Sequence, residues 1–151
     1  MFDVLDHLDL VDGASVTDLF AGSGALGIEA ASRGAEKVTF VDSDRAVVLA
    51  IQANLTATKT EELATCRVVR SEALSWCRSG RERFDLAFLD PPYSYDEWDQ
   101  LLSVVPADFV VIESNREIAL PASLELHRTY RYGTTLVTMA RCTAGIEVAT
   151  P

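Results

Sequence analysis

Apolar and polar residues alternate along this chain with two different periods. Short runs rich in valine, leucine and phenylalanine are separated by segments in which the apolar residues recur at helical spacing. The runs predict strands at Ser15–Phe20, Lys37–Asp42, Arg67–Arg70, Phe84–Leu89, Phe109–Glu113, Leu124–Tyr132 and Thr134–Arg141. The segments between them predict helices at Ala25–Arg33, from Asp44 to about Ala57, near Ala73–Cys77 and at Tyr95–Val105.

The order of these elements predicts an α/β fold. Buried strands that alternate with helices are typical of a mostly parallel sheet covered on both faces. The last two strands flank Gly133, so we expect a C-terminal hairpin that adds an antiparallel strand. The pattern contains no repeat and no linker. It therefore predicts a single domain over residues 1–151, with a loose tail from about residue 142.

A glycine-rich turn follows the first predicted strand and opens a helix. The segment from Asp18 to Gly27 reads DLFAGSGALG and satisfies the pattern G-x-G-x-x-G. Gly22 and Gly24 allow the backbone to bend tightly and to approach a ligand, and Gly27 allows the helix to pack closely on the strand. Because several nucleotide-binding folds use this pattern, it indicates a nucleotide-like ligand without identifying it.

Acidic residues fall at the ends of three successive strands, at the sheet edge where open α/β folds bind ligands. A carboxylate at Asp18 suits the cationic amino-acid part of S-adenosyl-L-methionine and would repel a pyrophosphate. Asp42 ends the second strand and can accept hydrogen bonds from both ribose hydroxyls. Glu72 follows the third strand, where it can reach an adenine amino group, and Ser43 and Ala73 can add backbone contacts.

The sequence Asp90-Pro91-Pro92-Tyr93 comes directly after the fourth strand. The two prolines fix the backbone and hold the residues before them extended, so carbonyl groups can project rigidly from the loop. An amine that is to be methylated needs acceptors for its hydrogens, which the Asp90 carboxylate and the Pro91 carbonyl can provide. Tyr93 offers a flat face on which a nucleic-acid base can stack. The motif therefore predicts methylation of an exocyclic amine.

The amino-acid composition indicates which other kinds of site, and which cellular location, fit this chain. The three cysteines form no C-x-x-C pair and the two histidines lie far apart, so we predict neither a disulfide framework nor a metal site. No apolar stretch reaches the roughly 18 residues of a membrane span. The acidic start is unlike a signal peptide, which favours a cytoplasmic protein. The net charge of −10 is unusual for a protein that binds nucleic acid.

Three motifs together resemble the bacterial 16S ribosomal RNA (guanine-N2)-methyltransferase family, of the small-subunit methyltransferase D type. They are the Asp18–Gly27 turn, Asp90-Pro91-Pro92-Tyr93 and Arg131-Tyr132-Gly133-Thr134-Thr135, and the resemblance extends from Phe2 to about Arg141. It implies a Rossmann-like class I methyltransferase fold with a seven-stranded sheet. It also implies a monomer that methylates the N2 amine of a guanine in 16S ribosomal RNA, within a small-subunit assembly particle.

The expected site has two parts. The catalytic residues are Asp90, Pro91, Pro92 and Tyr93. The residues expected to bind S-adenosyl-L-methionine are Asp18, Ala21, Gly22, Ser23, Gly24, Gly27, Asp42, Ser43, Glu72, Ala73 and Asp90. The family usually has an arginine-rich segment ahead of the first helix, and the resemblance leads us to expect that this chain lacks it. The remaining candidates for phosphate contact are Arg78, Arg81, Arg83, Arg116, Arg128 and Arg131.

Three other functions fit part of the pattern. A nicotinamide-dependent oxidoreductase would explain the glycines and Asp42, but neither Asp18 nor the Asp90–Tyr93 motif, and would need a substrate domain. An adenine-N6 DNA methyltransferase would explain Asp90–Tyr93, but usually needs a separate target-recognition region. A binding module that retains the cofactor site without catalysis is the third alternative.

Overall fold

A computed structural model describes residues 1–80 and 82–143 of the chain. Seven strands form one sheet in the order β3-β2-β1-β4-β5-β7-β6, in which β1 to β5 are parallel and β7 runs antiparallel to both of its neighbours. The strands are β1 Ser15–Leu19, β2 Lys37–Asp42, β3 Thr65–Arg70, β4 Phe84–Leu89, β5 Ala107–Ser114, β6 Leu124–Tyr132 and β7 Thr135–Cys142.

In the described residues, one α-helix precedes β1, and four α-helices and one 3₁₀ turn lie between strands. They are α1 Phe2–His7, α2 Ala25–Ser32, α3 Arg45–Ala57, the 3₁₀ turn Thr60–Glu62, α4 Ala73–Ser79 and α5 Trp98–Val104. Asp44 caps α3 as predicted, because its side chain accepts hydrogen bonds from the backbone N–H groups of Ala46 and Val47. Among the described residues, no helix is long and apolar enough to cross a membrane.

Two apolar layers enclose the sheet. On one face, side chains such as Phe40, Phe88 and Phe109 pack against the first three helices. On the other face, residues such as Leu89, Val110 and Trp98 pack between the sheet and the helices α4 and α5. Burial of this kind, at roughly 25 cal/mol per Å² of apolar surface, stabilises the fold. It also fixes the carboxyl ends of β1, β2, β4 and β5 beside one another.

The predicted α/β fold and the hairpin around Gly133 are confirmed, and every predicted element end except the start of one helix lies within two residues of the observed end. The helix predicted from Tyr95 begins only at Trp98, because the Tyr95 N–H donates to the Pro92 carbonyl in a turn. The ordered chain continues through Thr143, since Cys142 ends β7 and the Thr143 N–H donates to the Ser123 carbonyl, so the tail expected from about residue 142 stays a prediction. Residues 144–151 and Arg81 lie outside the described residues.

Candidate active site

The glycine-rich turn bends sharply as it leaves β1. Phe20, Gly22 and Gly24 have φ angles of 59°, 57° and 82°, which place all three in the left-handed region. Glycine adopts this region freely, whereas for Phe20 it costs roughly 1–3 kcal/mol. The Ala21 N–H donates to the Val41 carbonyl and the Ala21 carbonyl accepts from the Gly24 N–H, which ties the turn to β2.

The predicted residues of this turn have different exposures. Ala21, Gly24 and Gly27 are buried, Gly22 is half-buried and Ser23 is exposed at the outer bend, with its carbonyl accepting from Asn54 Nδ2 at 2.9 Å. A Cβ at Gly27 would overlap the Phe40 ring, which accounts for glycine there. A Cβ at Gly22 would find no atom nearer than 3.9 Å. The turn is therefore closely packed underneath and open above Gly22.

Asp18 lies near the end of β1, enclosed beneath the glycine-rich turn. Its side chain is 1% exposed, and its Oδ2 accepts a hydrogen bond from the Gly27 N–H at 3.0 Å. Burial raises the pKa of Asp18 to about 8, against the opposing effect of that hydrogen bond, and the negative charges of Asp90, Asp42 and Glu113 raise it further. Whether Asp18 contacts a cofactor directly stays a prediction.

The raised pKa of Asp18 makes folding stability depend on pH. The folded chain keeps this proton up to a pH near 8, whereas the unfolded aspartate loses it near 3.8. The stability due to protonated Asp18 is therefore complete below about pH 4 and lost as the pH rises through 8, by at most about 1.4 kcal/mol per pH unit. Urea unfolding between pH 5 and 9 should show this slope in wild type and a smaller one in Asp18→Asn. Equal slopes would contradict it.

Asp42 joins the end of β2 to the glycine-rich turn. Its Oδ2 accepts from the Gly22 N–H at 3.1 Å and its Oδ1 from the Asp44 N–H at 3.0 Å. A carboxylate has about four acceptor positions, so both oxygens can accept further hydrogen bonds from a ligand. Asp42 and three other predicted residues line one cavity of about 50 Å³. Its lining consists of Phe20, Val41, Asp42, Ser43, Ser71, Glu72 and Ala73.

Glu72 and Ala73 lie at the start of α4, on the far wall of that cavity. Glu72 is exposed, and its Oε2 accepts from the Ser75 hydroxyl at 3.0 Å, whereas Ala73 is buried. The structure thus brings together Asp42, Ser43, Glu72 and Ala73, which lie far apart in sequence. Sequence reasoning missed Phe20 and Ser71, which line the same cavity. The left-handed φ of Phe20 is a property of the folded turn that residue identity did not indicate.

The Asp90–Tyr93 loop is held by Arg116. Its guanidinium donates to the Tyr93 carbonyl at 3.0 Å and to the Tyr95 carbonyl at 2.8 Å. Pro91 is buried, while the Tyr93 side chain is 56% exposed and free to offer its ring to a base. Arg116 was expected to contact phosphate. Its two terminal nitrogens hold the loop, and a phosphate contact by the exposed Arg116 stays a prediction.

Glu113 is a site residue that sequence reasoning missed. It lies at the end of β5 beside the end of β4, since Leu89 is in register with Ile112. The side chains of Asp90 and Glu113 are hydrogen-bonded to each other, and partial burial raises the pKa of both. The available signal was an acidic residue at the end of the predicted strand Phe109–Glu113, since position near a strand end also identified Asp18 and Asp42.

A line of aromatic rings connects the two parts of the site. Phe20, which lines the cavity by Asp42, meets Tyr95 edge-on at 5.0 Å between ring centroids, and Tyr95 meets Trp98 at 5.3 Å. The buried Tyr95 hydroxyl has no hydrogen-bond partner among the described residues. Burial raises the pKa of Tyr95 to about 12, so it stays protonated. These contacts fix the loop after Tyr93 against the end of β1.

Comparison with known proteins identifies the family. A family model described as "Conserved hypothetical protein 95" matches residues 1–141. The "Putative rRNA methyltransferase YlbH" of Bacillus subtilis is 38% identical over 138 residues, or 82% of this chain and 73% of that protein. The "Ribosomal RNA small subunit methyltransferase D" of Escherichia coli K12 is 35% identical over 125 residues, or 76% of this chain and 62% of that protein. This chain belongs to the small-subunit methyltransferase D family.

A solved structure with a similar fold supports the assignment of this chain to the methyltransferase D family. The "Putative methyltransferase yhhF" of Escherichia coli matches with a TM-score of 0.81 at 30% identity, covering 93% of this chain and 82% of that one. The predicted family and the predicted Rossmann-like fold of class I methyltransferases are therefore confirmed. In this member of the methyltransferase D family, the glycine-rich turn and the Asp90–Tyr93 loop lie at the same edge of the sheet.

Proposed function

We propose that this protein uses S-adenosyl-L-methionine to methylate the exocyclic N2 amine of a guanine in 16S ribosomal RNA. The observation that carries the proposal is the crevice at the carboxyl ends of β1, β2, β4 and β5. There an open glycine-rich turn lies beside a rigid loop that presents a carboxylate, a carbonyl and an exposed tyrosine ring. The names of the relatives support ribosomal RNA as the substrate.

The charge of the crevice fits a cationic cofactor. Asp42 and Asp90 lie close enough to Asp18 for their negative charges to raise its pKa, so the crevice remains negative even while Asp18 keeps its proton. Such a site favours the sulfonium and ammonium groups of S-adenosyl-L-methionine and disfavours the pyrophosphate of a nicotinamide dinucleotide. The backbone from Ala21 to Gly24 faces the cofactor above Gly22. Asp18 and Gly27 hold that turn from beneath.

The remaining cofactor residues form the nucleoside end of the site. Asp42 accepts hydrogen bonds from the ribose hydroxyls, in addition to the two backbone donors it already holds. Ser43, Glu72 and Ala73 surround the adenine, with Glu72 accepting from its amino group. Phe20 adds an apolar surface to the same cavity.

The protein's contribution to methyl transfer is to position the acceptor. When bound, S-adenosyl-L-methionine supplies an electrophilic methyl group on a sulfonium sulfur, which leaves as a neutral thioether. The Asp90 carboxylate and the Pro91 carbonyl accept the hydrogens of the guanine amine, so its lone pair points toward the cofactor side. Tyr93 stacks on the base, and Asp90 takes the proton that the methylated nitrogen releases. Such alignment lowers the barrier by fixing the reacting groups at near-attack distance.

The RNA approaches over the exposed hairpin β6–β7. Ser114 on β5 is in register with Leu136, which is in register with Arg131, so the Tyr132 end of β6 lies at the catalytic edge. Tyr130 and Tyr132 stack at 6.4 Å between ring centroids, and the Arg128 guanidinium lies 5.1 Å from the Tyr130 centroid. Rings and guanidinium groups in series suit the bases and phosphates of single-stranded RNA.

Arg128 and Arg131 on β6 are available to bind RNA phosphates. By contrast, Arg83 pairs with Asp108 and Arg78 donates to Gln100. Within residues 1–80 and 82–143, neither Arg128 nor Arg131 forms an ion pair. They therefore give a protein of net charge −10 a local site that attracts RNA.

Arg128→Ala combined with Arg131→Ala should weaken RNA binding about 10- to 100-fold and should reduce the salt dependence of the binding constant, because fewer counterions are released. Fluorescence anisotropy with 16S RNA fragments at several salt concentrations measures both quantities. Arg67→Ala is the matched control, since Arg67 is an exposed arginine on β3 at the opposite sheet edge. A salt slope equal to that of wild type in the double variant would contradict this surface.

Methylation of isolated ribosomal particles tests the proposed function. Undermethylated small subunits, naked 16S RNA, large subunits and DNA are each incubated with methyl-labelled cofactor. We expect label in small-subunit RNA, fastest in assembly particles, from a monomeric protein that works in the cytoplasm. Sedimentation of the protein alone tests the monomer. Label in DNA would favour an adenine-N6 enzyme, and cofactor binding without labelling would favour a module without catalysis.

A further inference from the structure

Asp90 and Glu113 form a carboxyl pair across two neighbouring strands. Each lies one residue beyond the registered pair Leu89 and Ile112, at the catalytic end of β4 and β5. Adjacent strands are about 4.8 Å apart, so side chains at equivalent positions meet. The two carboxyl groups are hydrogen-bonded, and Glu113 also borders the depression lined by Pro91 and Tyr93.

A hydrogen bond between two carboxyl groups requires a proton, because two carboxylates are acceptors only. Partial burial raises the pKa of Glu113, and the charge of Asp90 and the hydrogen bond to it raise it further. For Asp90, partial burial raises the pKa while the hydrogen bond from Glu113 lowers it. When the pair holds one proton, these effects place it on Glu113, which donates, while Asp90 accepts.

We propose that Glu113 is a positioning residue, whose neutral carboxyl group donates to one oxygen of Asp90 and holds the other toward the amine of the substrate. This inference rests on the proposed function, in which Asp90 receives the amine hydrogens. A carboxylate with one oxygen fixed cannot rotate away from the acceptor site. Glu113 thus acts through Asp90 and need not touch the substrate.

The surroundings of Glu113 determine how the pair responds to pH. The facing groups are Asp90 from β4, Asp18 from β1, the amino group of Met1 from α1, whose charge lowers the pKa of Glu113, and Arg116 from the following loop. As the pH rises, Glu113 loses its proton and the two carboxylates repel each other. Asp90 then loses its fixed orientation, so transfer should decline on the alkaline side.

The test compares Glu113→Ala and Glu113→Gln with wild type by steady-state kinetics, with saturating cofactor and varied concentrations of undermethylated small subunits. Glu113→Ala should lower kcat roughly 10- to 100-fold with little change in KM, because the acceptor is misaligned after binding. Glu113→Gln keeps an N–H donor and should restore most of the rate. Since an amide does not titrate, its alkaline decline should be absent. Glu117→Ala and Glu117→Gln are controls at an exposed glutamate nearby.

The outcomes separate this inference from the proposed function. Carbon-13 NMR of labelled carboxyl groups in wild type and Glu113→Gln follows the shared proton without any RNA. If the Asp90 and Glu113 carboxyl groups titrate together but wild type transfers no methyl group to RNA, the proposed function is contradicted, while the hydrogen bond between the two carboxyl groups is supported. Transfer by wild type together with equal kcat in Glu113→Ala would overturn the role of Glu113. So would an alkaline decline that persists in Glu113→Gln.

Discussion

Replacing Asp90 with alanine is expected to lower the rate of methyl transfer by roughly 10²- to 10⁴-fold, the range typical of a lost proton acceptor. The dissociation constant for S-adenosyl-L-methionine should change by no more than about threefold. Asp90 lies next to Pro91 and Glu113, at the ends of β4 and β5. The cavity beside Asp42, where we propose that the nucleoside of the cofactor binds, lies beyond β1. Its removal leaves the turn at Gly22 and its hydrogen bond to Asp42 in place.

Single-turnover transfer and isothermal titration with the cofactor measure these two quantities separately. Asp96→Ala is the control, since Asp96 is an exposed aspartate on the loop that follows the motif. Asp90→Asn retains a carbonyl oxygen but cannot accept the released proton, so its rate should fall between those of wild type and Asp90→Ala. Normal transfer by Asp90→Ala would show that another group orients the amine.

The second large effect is expected at the glycine-rich turn, where Gly22→Ala should weaken cofactor binding by at least about 10-fold. The added Cβ has open space in the protein itself, so it enters the region that the cofactor is proposed to occupy. The φ angle of 57° also imposes a folding cost of roughly 1–2 kcal/mol on any residue with a Cβ.

Gly13→Ala separates the effect of the added Cβ on cofactor binding from the folding cost of a positive φ angle. Gly13 has a φ of 75° and no atom within 4 Å of its Cβ position, so the backbone cost is matched. It lies ahead of β1, at the end of the sheet away from the crevice. We expect both variants to unfold at similar urea concentrations and only Gly22→Ala to bind the cofactor weakly. Equal cofactor affinity in the two variants would argue against a cofactor above Gly22.

Much of the fold could be predicted because the strands are buried. The β2 strand Lys37–Asp42 and the β4 strand Phe84–Leu89 have the bounds that the apolar runs predicted. A strand in the middle of a parallel sheet is apolar on both faces, so its ends coincide with the first polar or turn-forming residues. Asp44 marked the start of α3 for a similarly local reason, namely its hydrogen bonds to the first turn.

The parts that could not be predicted depend on tertiary contacts. The start of α5 shifted to Trp98 because the chain turns between Pro92 and Tyr95, and Arg116, more than 20 residues away, holds the carbonyl of Tyr95. The pairing of Asp90 with Glu113 depends on which strands become neighbours, and strand order is not encoded in either residue. The burial of Asp18 likewise follows from the packing of α2 on β1, where the Gly27 N–H donates to its carboxyl group.

The most direct test of the account is to identify the methylated nucleoside. Undermethylated small subunits are incubated with the protein and methyl-labelled cofactor, and their RNA is digested and analysed by mass spectrometry. The account predicts N2-methylguanosine at one position of 16S ribosomal RNA, absent when Asp90→Ala replaces wild type. A label in N6-methyladenosine, or N2-methylguanosine formed equally by Asp90→Ala, would contradict it.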